Sequence, residues 1–148
     1  MPLPTNLKKP EADLLAELAP AIAAGRLRIE RDASPYWEWL NSAFPTCGNT
    51  IDLKATKWAV SYPDWKRRFE TPRALWTHVL SEPQMQGVEE LIVVDDGKVD
   101  FAVLGSVEVI TGCFDAFYEH MLHRYFCAPG HRLCFCVRWE GDAFLCGV

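Results

Sequence analysis

The 148-residue sequence contains no apolar run approaching the roughly 18 to 20 residues of a membrane-spanning helix; its hydrophobic residues, 49% of the total, are broken every few positions by charges. That pattern excludes a helical membrane span. The N-terminus, Met1-Pro2-Leu3-Pro4 followed by Lys8, Lys9 and Pro10, has neither the apolar stretch nor the small-residue cleavage site of a secretory signal, so a cytoplasmic protein is expected. Internal repeats and linker-like low-complexity segments are absent too. One domain over residues 11–148, preceded by a flexible tail at 1–10, follows from this. There is no Cys-x2-Cys knuckle, no His-Glu-x-x-His and no glycine-rich phosphate loop, which removes the readily recognised zinc and nucleotide enzymes. A chain of this length buries about 70% of its unfolded surface and needs neither disulfides nor a metal to fold.

Positive charge is scarce in the second half. Residues 1–74 hold 11 Lys and Arg against 9 Asp and Glu, whereas residues 75–148 hold 4 against 11. An acidic surface repels phosphate backbones and steers basic partners toward itself, so the second half disfavours nucleic acid and suits a basic protein. The six cysteines, Cys47, Cys113, Cys127, Cys134, Cys136 and Cys146, stand mostly among Phe, Leu and Val, as buried small hydrophobes do in a reducing compartment.

Periodicity predicts a first helix over 11–24, with Leu14, Leu15, Leu18 and Ile22 on one stripe and Gly25 as its cap. A second helix starts at Ser34-Pro35 and ends at Pro45 and Gly48. A strand over 51–60, a short helix after Pro63 and a helix capped by Thr71-Pro72 come next. The sequence Asp95-Asp96-Gly97-Lys98 suggests a two-residue turn that sets Val94 opposite Val99, Ile92 opposite Phe101 and Asp95 opposite Lys98. A helix over 112–126, with Thr111 as N-cap, is expected from Phe114, Phe117, Tyr118, Met121, Leu122 and Tyr125. A hairpin from Leu133 to Val148 closes the chain. The order ααβααββαββ describes an α+β fold, a mainly antiparallel sheet of about five strands covered by helices on one side.

Several residue groups invite chemistry. On a helix reaching residue 127, His120, His123 and Cys127 would share one face and form a three-ligand zinc set, with His131, Cys134 or Cys136 as a fourth; solvated histidines, with Glu119 pairing to His123, are the plainer reading. Cys47, in a turn-like segment, and Cys113, near a helix start, are candidate nucleophiles for a small cysteine- or metal-dependent enzyme. The basic stretch Lys54 to Arg73 interleaves with Trp58, Tyr62 and Trp65, as single-strand binders do, although Asp52, Asp64 and Glu70 dilute it. Trp37 and Trp39 point about 200° apart on a helix, so one of them should stand exposed as an interface anchor.

Pro35-Tyr36-Trp37-Glu38-Trp39-Leu40 and Phe114-Asp115-Ala116-Phe117 resemble segments of the SMI1/KNR4-like family, which includes many bacterial toxin-immunity proteins. The two cover under a fifth of the chain. The acidic-leucine-glycine pattern before the first and the paired glycines after it are missing, so no residue roles follow. The expected function is protein binding, of the immunity or antitoxin type, with Glu89, Glu90, Asp95, Asp96, Asp100 and Trp37 or Trp39 contacting a basic partner.

Overall fold

The computed structural model describes residues 6–47 and 50–148. In chain order the elements are α1 (Lys9–Ala23), β1 (Leu27–Glu30), α2 (Ser34–Ala43), β2 (Thr46–Cys47), β3 (Thr50–Ile51), β4 (Trp58–Ser61), α3 (Trp65–Arg68) and α4 (Pro72–Leu80), then β5 (Glu90–Asp95), β6 (Ala102–Ser106), α5 (Val107–Gly112), α6 (Phe114–His120), β7 (His123–Ala128), β8 (Leu133–Arg138) and β9 (Ala143–Gly147). The fold is α+β. Seven strands, two more than expected, form one antiparallel sheet in the order β1-β6-β5-β7-β8-β9-β4, and β2 pairs with β3 in a separate ribbon. Among the described residues no helix is long and apolar enough to cross a membrane.

Elements with both a period and a cap formed where their residues indicate. Thr71 Oγ1 accepts the Ala74 N–H at the start of α4; α2 starts at Ser34 as expected, but Ser34 does not cap it, and Asp32 Oδ1 instead accepts the Ser34 N–H. The helix α1 begins at Lys9, where Glu11 reaches back to accept the Lys8 N–H. Gly48, the expected stop after α2, lies outside the described residues.

The sheet is buried on both faces, not one. On the first face Trp76 stacks on Phe114 and meets Phe126 and Phe135 at ring distances of 4.9 and 5.6 Å, with α1, α4 and α6 closing the layer. The second face carries Val94, Ala102, Tyr125 and Phe144 together with Cys127, Cys134, Cys136 and Cys146, covered by α2 and by Ile51 of β3. Cysteine is small enough to let a helix settle closely on a sheet, which accounts for four of them beneath α2. Cys127 and Cys134 are cross-strand neighbours with sulfurs 3.9 Å apart, and burial pushes the thiols of Cys134 and Cys136 well up and that of Cys146 to about 12.

The expected helix over 112–126 is in fact α5, α6 and β7. Thr111 lies inside α5, which Ser106 caps through its hydroxyl, and it accepts the indole N–H of Trp76. Only Phe114 and Phe117 belong to a buried helical stripe. From Met121 onward the chain is extended, and Tyr125 to Ala128 are apolar on both faces because β7 lies between β5 and β8 with cores above and below. A doubly buried strand has no period of 2, so its apolar run continues the preceding helical pattern by coincidence.

The β5–β6 connection also differs from expectation. Ile92 pairs with Leu104 and Val93 with Val103, a three-residue slip from the two-residue turn, and residues 96–101 form a wide loop. Asp95 causes the slip. Its carboxylate turns back to accept the Lys98 and Val99 N–H groups, where a tight hairpin would have used backbone carbonyls, and Val99 and Phe101 then drop into the first core. Gly97 remains essential at φ +148, and a Cβ there would come within 2.6 Å of Leu122 Cδ2. Gly97→Val should therefore cost about 2 kcal/mol, read as a lower denaturation midpoint. An unchanged midpoint would contradict this account of the loop.

Candidate functional site

The alternation of strands divides the loops between two ends of the sheet. The loop 96–101 and the β8–β9 turn lie at one end; Glu89, Glu90 and the turn Pro129–His131 lie at the other. Five steps of β5 separate Glu90 from Asp95, about 17 Å at 3.3 Å per residue, so the acidic residues expected to form one patch are split between two.

Asp95 belongs to neither surface. It is buried, and Oδ2 accepts from the N–H of Lys98 (2.8 Å) and Val99 (3.0 Å) while Oδ1 accepts from Leu122 (2.9 Å) and His123 (2.7 Å). Asp96 and Asp100 are exposed, the latter 3.2 Å from Lys8 Nζ. Trp37 and Trp39 are both half-buried. Trp37 meets Tyr125 edge-on at 5.3 Å and Trp39 meets Phe44 at 5.6 Å. The 200° argument fails because α2 lies along the sheet and an indole is long enough to fold down onto it from either flank of the helix.

The exposed indole is instead that of Trp139, in the β8–β9 connection. It is 60% exposed, and among the described residues it is the one large hydrophobic side chain left in solvent. The signal in the sequence was its place beside Gly141-Asp142, where a turn residue has no ladder partner and no core to face. Around it the surface is continuous. The Asp96 N–H donates to the His123 carbonyl at 3.0 Å, His123 Nε2 lies 2.5 Å from Glu140 Oε1, Arg138 Nη2 lies 2.7 Å from Glu140 Oε2, and Arg138 Nη1 is 3.9 Å from Asp142. Desolvation opposes ionisation of Glu140, but the His123 hydrogen bond and the Arg138 charge outweigh it and hold the carboxyl below its ordinary value.

The zinc set expected from His120, His123 and Cys127 does not converge. His120 ends α6 and pairs with Glu17 of α1; His123 turns to Glu140; Cys127 is buried beneath α2, four residues and about 13 Å along β7 from His123. The proposed helical face does not exist, because the helix stops at His120. Of the supplementary ligands, Cys134 and Cys136 are buried in the second core, Cys134 with its sulfur 3.9 Å from that of Cys127, while His131 is exposed at the end of the sheet away from His123. Among the described residues, Glu17, Glu119 and His120 alone place three ligand atoms within 4.8 Å of one another, and they lie at the surface crossing of α1 and α6. Burial pushes the Cys113 thiol up despite the nearby charges of Arg26 and Arg73, the opposite of an activated nucleophile. The side chain of Cys47 lies outside those described.

The aromatic residues of the basic stretch face inward. Tyr62 and Trp65 are buried, and Trp58 covers Gly147 so closely that a Cβ there would meet its ring at 2.3 Å. Packing within the fold thus takes up most of the ring surface that stacking a base would need. No family model matches the chain, and no curated protein matches it in sequence.

Proposed function

We propose that the protein is a non-enzymatic binding module of the immunity or antitoxin kind, and that its contact surface is the hairpin end of the sheet. Trp139 carries the reading: a solvated indole that no element of the fold uses is an anchor in search of a pocket. Asp96, Asp100, Glu140 and Asp142 are exposed at the same end of the sheet and outnumber Lys98, Arg138 and the Lys8 that pairs with Asp100, which suits a basic protein partner. Asp95 supports this surface from beneath as a structural residue. Glu89 and Glu90 are excluded from it by distance, and Trp37 and Trp39 by their packing.

The test is capture of the partner from the native host, followed by binding kinetics at two salt concentrations. Trp139→Ala should chiefly speed dissociation, costing on the order of 2 kcal/mol. Asp96→Lys with Asp142→Lys should chiefly slow association, with an effect that shrinks above about 0.15 M salt, where the screening length is roughly 8 Å. Wild-type rates in both variants would overturn the assignment of this surface.

A further inference from the structure

The end of the sheet opposite Trp139 is grooved. Three hollows follow one another across the strand ends, each sharing wall residues with the next. The first, about 460 Å³, lies between α2 and the β7–β8 turn and has Trp39 and Arg132 in its wall. The second, about 230 Å³, shares Pro129 and Gly130 with the first and is bounded by Glu89, Glu90 and Ile92. The third, about 490 Å³, shares Glu90 with the second and runs over Leu104 to Arg26 beside β1.

The helix α2 does not cover the whole second face of the sheet. Ten helical residues span about 15 Å, whereas seven strands at about 4.8 Å spacing are nearly twice as wide. Ile92 and Leu104, partners across β5 and β6 on the second face, are consequently left half-buried. Three charges alternate along the groove: Arg132 just before β8, Glu90 at the start of β5 and Arg26 just before β1; Glu89 lies beside the second, and Arg28, paired with Glu30, lies beside the third. Among the described residues none of the three forms an ion pair.

The spacing identifies the occupant. Two strand spacings separate β8 from β5, and two more separate β5 from β1, and the registers set residues 132, 90 and 26 at one level, so the backbones that carry these charges recur about every 9.5 Å. A polyproline II helix repeats on one face every three residues, about 9.3 Å, whereas an extended strand would turn alternate charges away at that interval. Such helices dock on aromatic-lined grooves, and Trp39 supplies the aromatic wall here. We infer that this groove binds a proline-rich partner segment with an acidic residue, a basic residue three positions on and an acidic residue three beyond that. The site is separate from the Trp139 surface and does not depend on it.

The experiment is fluorescence anisotropy of labelled synthetic peptides with the full chain. Asp-Pro-Pro-Lys-Pro-Pro-Asp should bind saturably, and the inverted Lys-Pro-Pro-Asp-Pro-Pro-Lys on the order of tenfold more weakly. Glu90→Gln and Arg132→Gln, both exposed and outside the core, should each weaken the first peptide about threefold. Glu90→Lys should reverse the central preference and favour Asp in place of Lys. Trp139→Ala should leave all of these values unchanged, which separates this site from the hairpin surface. Equal binding of the two charge patterns, absence of saturation with the first peptide, or indifference to Glu90→Lys would each overturn the inference.

Discussion

Asp95→Ala is expected to remove on the order of 4 kcal/mol of stability, a large share of what a domain of this size holds, because it orphans four backbone N–H groups at once. Two of these belong to the loop after β5 and two to the start of β7, so one carboxylate fixes both the hairpin loop and the junction where α6 becomes β7. Asn is a partial replacement. Its one carbonyl oxygen can serve one pair of donors while its amide presents hydrogens to the other, so Asp95→Asn should cost about half as much. Burial is the largest influence on this carboxyl and lifts it above its ordinary value despite the four donors. The folded state therefore keeps the Asp95 proton to a higher pH than the unfolded state, and between the two values stability declines as pH rises. Asp32 and Glu140, whose carboxyls are held below their ordinary values, contribute the opposite slope, so the comparison is between wild type and Asp95→Asn. Urea denaturation from pH 4 to 7 provides it. A cost below 1 kcal/mol for the Ala variant, or identical pH slopes in wild type and the Asn variant, would contradict this role.

How far such a residue can be read from sequence depends on whether its partners are local. The helices α2 and α4 are legible because a proline in the first turn and an apolar stripe occur together within ten residues, joined in α4 by the Thr71 cap. The last hairpin was legible because Leu133 to Arg138 and Ala143 to Gly147 are bounded by turn residues. Asp95 looked like a turn residue, and it is one, but two of its four donors come from residues 122 and 123. Nothing in the local pattern 95–98 announces them, and the register slip they accompany was invisible for the same reason. The strand β7 was misread because burial on both faces erases the alternation that marks a strand. The strand β1 was missed because Leu27 to Glu30 is too short to establish a period.

The candidate surface was legible only as composition. Acidity of the second half and an excess of tryptophan were correct as inventory, but their placement follows from strand direction: β5 carries Glu90 to one end of the sheet and Asp96 to the other. Helical angles set Trp37 and Trp39 apart on α2 and so point to an exposed indole there. Angles on an isolated helix do not say how broad a surface the helix rests on, and this one rests on a sheet wide enough to receive both rings.

Arg124→Met is expected to cost about 3 kcal/mol, although methionine fills much of the same volume. The guanidinium is buried, and Nη2 donates to the carbonyls of Tyr118 (2.5 Å) and Met121 (2.7 Å) while Nη1 reaches that of Val137 (3.4 Å). Tyr118 and Met121 are at the end of α6, where carbonyls have no partner within the helix, so Arg124 acts as the cap that lets the helix stop and the strand begin. Its plane also lies 4.1 Å from the centre of the Tyr118 ring. Lysine retains the charge but not the planar fork that serves two carbonyls together, so Arg124→Lys should fall between wild type and Met. Burial lowers the Arg124 pKa, and Asp95, directly opposite in the β5–β7 register, is among the groups that favour its charged form. The two residues should consequently be coupled: in Asp95→Asn with Arg124→Met the losses should sum to about 1 kcal/mol less than the single variants imply, since each single change leaves the other charge buried without its neighbour. Denaturation midpoints of the four proteins measure the cycle. Strict additivity would separate the hairpin clamp from the helix cap, and a wild-type midpoint for Arg124→Met would remove the cap.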